Sequence, residues 1–427
     1  MPHRGPRIFY GWWIVAVGTL TYALGYGARY GFAVIFPSLV EEFGWSRDVT
    51  ATVLSSHMIV YGLVAPVVGG LVDRFGAKPT MSLGVLMLSS GLALSSLGHS
   101  PWHFWLSFGL LFGAGLCLVG AVPFAMVVRN WFERKRGMAF SFLYLGSGGS
   151  YAVYPAVSWF VEMWGWRKAF VAEALILLSV LIPLFLLFMR QRPEDSGVRD
   201  GRQEPGTAGP SQSTGTAITA SPWVNTEWTL GKAMAQGRFW FMCLATFSLW
   251  GITQHIVMAH NVAYSVDLGL SRMRVSSVLS LMGVAYVAGA LSAPVSDRIG
   301  REATISIAGI FGCSGILALA SMGPDSSWLL YVHALAFGFG NGLGSPTIAA
   351  AVTDLFQGPR VGPVIGFIWL CFALGGCLGP WLGGWIFEAT GQYRMAFLTA
   401  IFWYGVACAS VWAAGPRRVR PVASRGS

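Results

Sequence analysis

Long apolar stretches alternate with short polar segments along the whole chain. Two examples are "MSLGVLMLSSGLALSSLG" (Met81–Gly98) and "FVAEALILLSVLIPLFLLFM" (Phe170–Met189). Each is close to the roughly 20 residues that a helix needs to cross a bilayer. Division at charged residues and Gly/Pro turns predicts spans near 9–36, 49–71, 79–98, 103–128, 138–161, 169–189, 239–264, 275–296, 303–322, 328–353, 363–387 and 395–414. The pattern predicts an all-α membrane protein with 12 transmembrane helices.

The composition supports a lipid-facing surface. Hydrophobic residues make up 54% of the chain and charged residues only 11%, whereas about a quarter of the residues in a soluble domain are charged. The first apolar run continues past Arg29 to Phe36, which is too long for the apolar core of a cleaved signal peptide. We therefore expect it to be a permanent span. The six cysteines show no paired CxxC spacing, so we interpret them as packing residues.

The basic residues predict which way the protein is oriented. Of the 28 Lys and Arg residues, 21 lie on the side of both termini and the long central loop, and 6 lie on the other side. The remaining one is Arg29, inside the first span. The positive-inside rule then predicts cytoplasmic termini in the cell (inner) membrane. Because the net charge of +10 reflects this orientation, we expect no nucleic-acid partner.

Four landmarks recur in the two halves at a nearly constant spacing. "FGWSRDVTATVLS" and "LGLSRMRVSSVLS" are 225 residues apart, and Asp73 and Asp297 are 224 apart. "WFERKRG" and "GWRKAF" also have counterparts, "LFQGPRVG" and "GQYRMAF". Such repeats are typical of secondary transporters. They predict a six-helix bundle at residues 1–189, a cytoplasmic linker with an interfacial helix at 190–237, and a second six-helix bundle with a tail at 238–427.

The segment "GGLVDRFGAK" resembles the cytoplasmic motif that follows helix two in the major facilitator superfamily. The resemblance covers essentially the whole chain and implies two pseudo-symmetric six-helix bundles. In that family, the Asp of the motif helps to hold the cytoplasmic side closed. The implied conformational gate consists of Asp73, Arg74, Lys78, Arg136, Asp297, Arg298 and Arg360. The alternative is that these are solvated loop charges which only enforce topology.

A narrower resemblance is carried by "RNWFERKRGMAFSF" and "VDLGLSRMRVSSVLSLMG", which are similar to segments of the bacterial monocarboxylate and oxalate–formate porter group. It implies a carrier that moves a small organic anion by alternating access, with H⁺ coupling or anion exchange. The chain departs from that group in helix eight. Where porters often have a substrate-binding Arg, this chain has Gly289, and no acid is present in that helix. A drug-efflux antiporter and a non-transporting membrane sensor remain as alternatives.

Arg29 is the main candidate for substrate binding. Tyr22, Tyr26 and Arg29 are spaced to share one helix face, which Tyr30 flanks. Arg is always charged and can hold a carboxylate with two parallel hydrogen bonds. Counted from Ile14, Arg29 lies roughly 22 Å into the membrane, in its outer third. The alternative is that Arg29 extends outward to the interface or pairs with an acid.

Other polar residues inside the spans are further candidates, because such residues normally face a cavity. Glu173 is close to a helix end, so we expect an interfacial position for it. His260 is open to a second interpretation, a hydrogen bond between helices. The further substrate-binding candidates are His57, Tyr61, Tyr144, Tyr151, His260, Asn261 and Asn341.

Sequence motifs for catalysis are missing. "GFGNGLGS" has Gly-rich spacing but lies inside an apolar span, and the chain has no Walker A or HExxH sequence. We therefore expect no enzymatic activity, no catalytic residue, no cofactor and no metal site. The expected partners are a small carboxylate, a coupling proton and the lipid bilayer, with the chain acting as a monomer.

Overall fold

The computed structural model describes residues 9–132, 136–190, 223, 226–356 and 361–419. These residues are mostly helical, with no β-strand among them. The helices are α1 (Gly11–Phe43), α2 (Arg47–Phe75), α3 (Ala77–Ser95), α4 (Pro101–Phe104, Trp105–Phe112, Gly113–Leu118 and Ala121–Trp131), α5 (Arg136–Gly149, Ser150–Ala152 and the part of Val153–Phe188 before Gly165), α6 (the part of Val153–Phe188 after Gly165), α7 (Gly237–Thr246, Phe247–Thr253 and Gln254–Asp267), α8 (Arg272–Ser292, Ala293–Val295 and Ser296–Ile299), α9 (Arg301–Ala320), α10 (Leu329–Leu355), α11 (Gly362–Thr390) and α12 (Tyr393–Ala414).

The all-helical membrane fold predicted from the apolar pattern is confirmed. By length and composition alone, eight helical segments of the described chain could cross a membrane. One of them, Met138–Phe188, contains two predicted spans, because the backbone breaks at Gly165 within it. We refer to α1–α6 as the N half and to α7–α12 as the C half. Of the expected linker helix, Leu230–Met234 is present, and most of the linker lies outside the described residues.

Several helices extend beyond the predicted apolar spans. The first span was expected to end at residue 36, but α1 continues through Glu41 and Glu42 to Phe43. It ends at Gly44, whose φ of 63° is in the left-handed region, and the Gly44 N–H bonds to the Val40 carbonyl. Charged residues end an apolar span without ending a helix, so the hydrophobic pattern underestimated the length of α1.

The backbone repeats with the period found in the sequence. Glycines with positive φ mark corresponding helix ends in the two halves, at separations of 224 to 226 residues. The pairs are Gly44 and Gly269, Gly76 and Gly300, and Gly165 and Gly391, with φ values of 63° and 87°, 89° and 97°, and 78° and 69°. Glycine adopts this conformation without the steric cost that other residues meet. The turns between helices therefore repeat along with the helices.

The two halves meet along three helix pairs: α1 with α7, α2 with α11, and α5 with α8. Small residues allow close approach at these contacts. A Cβ placed on Gly384 of α11 would lie 2.6 Å from the Asp48 Cα of α2, and one on Gly283 of α8 would lie 2.4 Å from the Gly148 carbonyl oxygen of α5. Helices of opposite halves therefore touch through their backbones.

We predict that Gly375→Val destabilises the C half. A Cβ at Gly375 of α11 would lie 2.4 Å from the Phe247 carbonyl oxygen of α7, and a backbone atom cannot move aside as a side chain can. Overpacking of this kind costs about 1–3 kcal/mol. The midpoint of thermal unfolding in detergent should fall accordingly. Gly366→Val is the matched control, because a Cβ at Gly366 of the same helix meets nothing within 4 Å. Equal losses in the two variants would contradict the prediction.

Candidate functional site

Arg29 is buried at the contact between the two halves. Its side chain is only 6% exposed, and its guanidinium donates a hydrogen bond to Nε2 of His255 in α7. Because α1 runs from Gly11 to Phe43, Arg29 lies about 27 Å along the helix from one end and about 21 Å from the other. It is therefore near the middle of α1.

His255 meets Arg29 as a neutral acceptor. Its Nδ1 lies 2.8 Å from the Trp250 carbonyl oxygen and 2.9 Å from the Gly251 carbonyl oxygen. Because both partners are acceptors, Nδ1 carries the proton and Nε2 keeps the lone pair that receives the Arg29 N–H. The carbonyls belong to a π-helical turn of α7, Phe247–Thr253, a form often found at functional sites. The pairing leaves the positive charge of Arg29 unneutralised.

No acidic side chain compensates that charge within the described residues. The ion pairs found there involve Arg47, Arg167 and Arg301, and none involves Arg29. The low exposure of Arg29 also rules out the alternative that it extends outward to the interface. A charged side chain at the centre of a membrane costs at least about 2.5 kcal/mol. An uncompensated guanidinium in this position is therefore suited to receive an anion.

A small cavity of about 20 Å³ lies beside Arg29, close to the minimum that holds one water molecule. Both halves contribute to it, through α1 and α2 on one side and α7 and α11 on the other. Its lining residues are Arg29, Tyr30, Ala33, Leu54, His57, His255, Met258, Ala259 and Pro380. Apart from Arg29, Tyr30 and the two histidines, this lining is apolar. The cavity thus combines one cation with an apolar surface.

The predicted tyrosine face divides into two groups. Tyr30 stacks on Tyr151 at 5.4 Å between ring centroids and lies 5.3 Å from the Arg29 guanidinium carbon. The Tyr30 hydroxyl accepts a hydrogen bond from Nε2 of Gln254 in the other half. Tyr22 packs instead against Tyr26 and Tyr144, at 5.2 and 6.1 Å. Tyr30 and Tyr151 therefore stack beside Arg29, and Tyr26, which packs against Tyr22, also interacts electrostatically with Arg29.

The remaining substrate-binding candidates lie in different surroundings. His57 lines the Arg29 cavity, whereas Tyr61 lies near α4, where its carbonyl oxygen accepts from the Cys117 thiol at 3.5 Å. His260 Nε2 donates to the Pro380 carbonyl oxygen of α11 at 2.9 Å. This contact agrees with the second interpretation of His260, a hydrogen bond between helices. Asn261 and Asn341 are buried and do not line the cavity. Of these candidates, His57 lines the Arg29 cavity, and Tyr61 reaches toward Arg29 through a side-chain hydrogen bond to Tyr26.

Glu173, for which an interfacial position was expected, is enclosed within the protein. It is 5% exposed, and neither carboxyl oxygen has a hydrogen-bond partner among the described residues. Its Oε1 lies 2.9 Å from where a Cβ on Gly31 would be. Because Gly31 has no side chain, α1 approaches α5 and α6 closely and encloses the carboxyl group. Distance from the helix end could not reveal this, since the face of α6 decides the environment.

The structure explains why helix eight carries Gly289 where porters often carry Arg. A Cβ on Gly289 would lie 2.3 Å from the Phe339 carbonyl oxygen and 2.7 Å from the Leu343 nitrogen of α10. This position therefore packs on the backbone of α10, and a long side chain has no room there. Charge recognition by this residue is excluded in the described packing.

The gate candidates lie at one end of the bundle, which we call the Asp73 end. There Arg301 pairs with Asp354 at 2.9 Å and with Asp297 at 2.7 Å, all within the C half. Lys78 donates to the Leu186 carbonyl oxygen at 2.5 Å within the N half. Arg74 lies over the ring of the adjacent Phe75, and Asp297, like Arg298, is exposed. The Arg136 side chain and Arg360 lie outside the described residues.

The halves are joined instead at the opposite end, which we call the Arg47 end. Arg47 of α2 pairs with Asp267 of α7 at 2.9 Å and donates to the Tyr393 hydroxyl at 2.7 Å. Its backbone N–H donates to Glu388 Oε1 at 2.7 Å. In the described parts of the chain, every hydrogen bond and ion pair between the halves lies at this end or in the middle of the bundle. This conformation is therefore closed at the Arg47 end.

His255 is one of the polar residues inside the predicted spans but was not selected as a substrate-binding candidate, and Arg47 was missed. The signal for His255 was present in the repeat, because Arg29 and His255 are 226 residues apart and Tyr30 and Gln254 are 224 apart. Both separations match the repeat offset. Equivalent residues of α1 and α7 meet because these helices pack against each other at the contact between the halves.

Comparisons with known proteins agree with this architecture. The family model described as Major Facilitator Superfamily matches residues 18–293 and 256–426. Monocarboxylate transporter 13 of Rattus norvegicus is 25% identical over 94% of this chain and 88% of its own length. The uncharacterized MFS-type transporter YcxA of Bacillus subtilis (strain 168) is 23% identical over 92% of this chain and 93% of its own length.

Two solved structures share the fold. The nucleoside transporter NupG superposes with a TM-score of 0.72 at 12% identity, over 95% of this chain and 100% of that one. A bacterial homolog to the human lysosomal transporter Spinster, in an inward-facing and unoccupied conformation, superposes with a TM-score of 0.67 at 16% identity. That match covers 99% of this chain and 100% of the other.

We predict that Arg47→Ala opens the Arg47 end. The test labels an Ala33→Cys reporter in the Arg29 cavity with an impermeant thiol reagent, applied from the Arg47 side in a background without other cysteines. Removing the Arg47 contacts should destabilise closure by one or two kcal/mol and raise the labelling rate about 5- to 30-fold. Arg167→Ala is the matched control, because Arg167 pairs with Glu42 of its own half at 2.5 Å. Equal labelling rates in the two variants would contradict the assignment.

Proposed function

The chain belongs to the major facilitator superfamily, and on this basis we propose that it is a secondary transporter of small organic monoanions. The similarity to monocarboxylate transporters over nearly the whole chain supports a carboxylate as the transported group. Membership of this family and the helical fold mark the protein as a multi-pass membrane transporter rather than an enzyme.

The observation that carries the proposal is the uncompensated charge of Arg29. Arg29 is buried between the halves, and its partner is the neutral His255 rather than a carboxylate. Leaving a buried charge without a counter-ion is costly, and a bound anion removes that cost. A substrate carboxylate would displace Nε2 of His255 and take both arms of the guanidinium. The bound anion would therefore supply the negative charge that no described residue places beside Arg29.

The lining of the cavity supports a short substrate with an apolar body, which would enter when movement of the halves enlarges a space that now has room for about one water molecule. Ala33, Leu54 and Met258 surround the space beside the guanidinium and offer no hydrogen-bonding side chain. A carboxylate at Arg29 would leave the rest of the ligand against these apolar groups. Short-chain monocarboxylates with an alkyl body, such as acetate and butyrate, fit this lining, whereas a second carboxylate would be left unpaired.

We propose that transport proceeds by alternating access, in which the site opens to one side of the membrane at a time. In this conformation the Arg47 end is closed by contacts between the halves. We propose that rocking of the halves breaks these contacts and brings Asp73, Asp297 and the neighbouring basic residues together at the other end. The concentration of Lys and Arg at the Asp73 end supports a cytoplasmic location for it in the cell membrane. The conformation described here would then be closed on the outer side of the membrane.

One chain supplies both sides of the site. Arg29 and His57 come from residues 1–189, and His255 and Pro380 come from residues 238–427. We therefore propose that a monomer transports, with the 190–237 segment as the linker between two bundles. The gradient that drives transport is that of protons or of a second anion.

The test is uptake of labelled mono- and dicarboxylates into proteoliposomes, with and without a pH gradient. We expect saturable uptake of short monocarboxylates by the wild type. Arg29→Gln should lower the rate at limiting substrate about 100-fold, or about 2.7 kcal/mol, since truncating one partner of a buried charge pair costs 2–5 kcal/mol. Arg29→Lys should recover part of this rate, because Lys keeps the charge without the planar fork.

Arg167→Gln is the control for this experiment, because the Arg167 side chain is 36% exposed and pairs within its own half. It should transport like the wild type. Wild-type uptake by Arg29→Gln would remove Arg29 from substrate recognition. Failure of every carboxylate, together with export of a cationic dye, would replace the proposal with drug efflux.

A further inference from the structure

His57 is a second buried polar group beside Arg29 for which the proposed function gives no role. Its side chain is 0% exposed, in the middle of α2. At most one ring nitrogen has a partner among the described residues, the backbone carbonyl of Leu54 in the same helix, so at least one ring nitrogen is unpaired. An unsatisfied buried polar group costs about 1–3 kcal/mol. Because His57 lines the same cavity as Arg29, the group that satisfies it can be the transported ligand.

The surroundings of His57 contain few charges. Of the residues that line the cavity, the titratable or charged ones facing His57 are Arg29 and Tyr30 of α1 and His255 of α7. From α4, His57 meets the apolar rings of Phe108 and Phe112, at 5.8 and 6.4 Å between centroids. The α11 residue at the cavity is Pro380. The one full charge beside His57 is therefore that of Arg29.

This arrangement ties the protonation of His57 to the presence of an anion. A proton on His57 beside Arg29 puts two positive charges in a dry space, where they repel strongly. A carboxylate bound to Arg29 offsets that repulsion and accepts a hydrogen bond from the imidazolium. The empty site carries one positive charge, and the site loaded with one anion and one proton carries the same charge. Anion and proton therefore favour each other's binding, as thermodynamic linkage requires.

We propose that His57 is the proton-binding residue that couples anion transport to H⁺, with one proton bound beside each carboxylate. The proposal rests on the proposed function, because it needs an anion at Arg29. The proton enters with the anion from one side of the membrane, resides on a ring nitrogen of His57, and leaves with the anion on the other side. No bond other than that N–H forms or breaks.

His255 and Glu173 are less suited to this role. His255 has Nδ1 held by two backbone carbonyls, and protonation of its Nε2 would remove the acceptor that Arg29 uses. Glu173 is also buried, and neither carboxyl oxygen has a partner among the described residues, but it lies against Gly31 and does not line the cavity. A proton on Glu173 would therefore not respond directly to an anion at Arg29.

The test compares wild-type protein with His57→Gln in proteoliposomes, with a labelled short monocarboxylate as the probe. Wild-type protein should accumulate the anion when a pH gradient is imposed. Its apparent affinity in exchange should rise up to about tenfold for each unit of falling pH, as linkage to one proton requires. His57→Gln should exchange anions at a reduced rate, without accumulation and without the pH dependence of affinity.

His333→Gln is the matched control, because His333 is equally buried in α10, bonds to the Gly315 carbonyl oxygen at 2.9 Å and is not among the cavity-lining residues. It should keep wild-type accumulation. Accumulation by His57→Gln at the wild-type level would overturn the proposal, as would loss of coupling in Glu173→Gln alone.

The wild-type measurement tests the proposal even if His57→Gln does not fold. Carboxylate exchange that is indifferent to pH would overturn the role of His57 and leave the proposed function intact. Absence of carboxylate transport under every condition would overturn the proposed function itself. The two failures are therefore distinguishable.

Discussion

The hydrogen bond between Arg29 and His255 is the central interaction between the two halves of this structure. A guanidinium within a membrane bundle requires compensation, and among the described residues Arg29 bonds to a neutral imidazole of the opposite half rather than to a carboxylate. The imidazole is held as an acceptor by two backbone carbonyls of a π-helical turn. The site is thus polar enough to keep Arg29 buried. Among the described residues it has no carboxylate that pairs with Arg29, so a bound anion can neutralise the guanidinium.

The position of this bond links recognition to movement. Its donor is in the N half and its acceptor is in the C half, so an anion that replaces His255 changes a contact between the halves. Among the described residues, the other polar contacts between the halves lie in the middle of the bundle or toward one end, where those of Arg47 are the clearest. Glycine contacts such as Gly148 with Gly283 keep paired helices close while presenting few side chains to interlock. A site between two halves joined in this way can be exposed at either end in turn.

Much of this architecture could be predicted from the sequence, for identifiable physical reasons. Apolar length predicted the helices, and the offset of Asp73 from Asp297 predicted a repeat that the positive-φ glycines also follow. The extension of α1 to Phe43 could not be predicted from apolarity, because Glu41 and Glu42 continue a helix outside the apolar span. The enclosure of Glu173 and the meeting of Arg29 with His255 depend on which helix faces pack together. The repeat offset could have predicted the meeting of Arg29 with His255, but only together with the knowledge that α1 packs against α7.

The central claim is that the positive charge of Arg29 has no counter-ion among the described residues and is neutralised by the carboxylate of the substrate. The most direct measurement is calorimetric binding, to purified protein, of the best-transported short monocarboxylate and of its uncharged primary amide, which is similar in size and shape. The account predicts that wild-type protein binds the carboxylate at least about 30-fold more tightly than the amide, and that Arg29→Gln reduces this difference to about threefold or less. Equal binding of carboxylate and amide by the wild type would contradict the account.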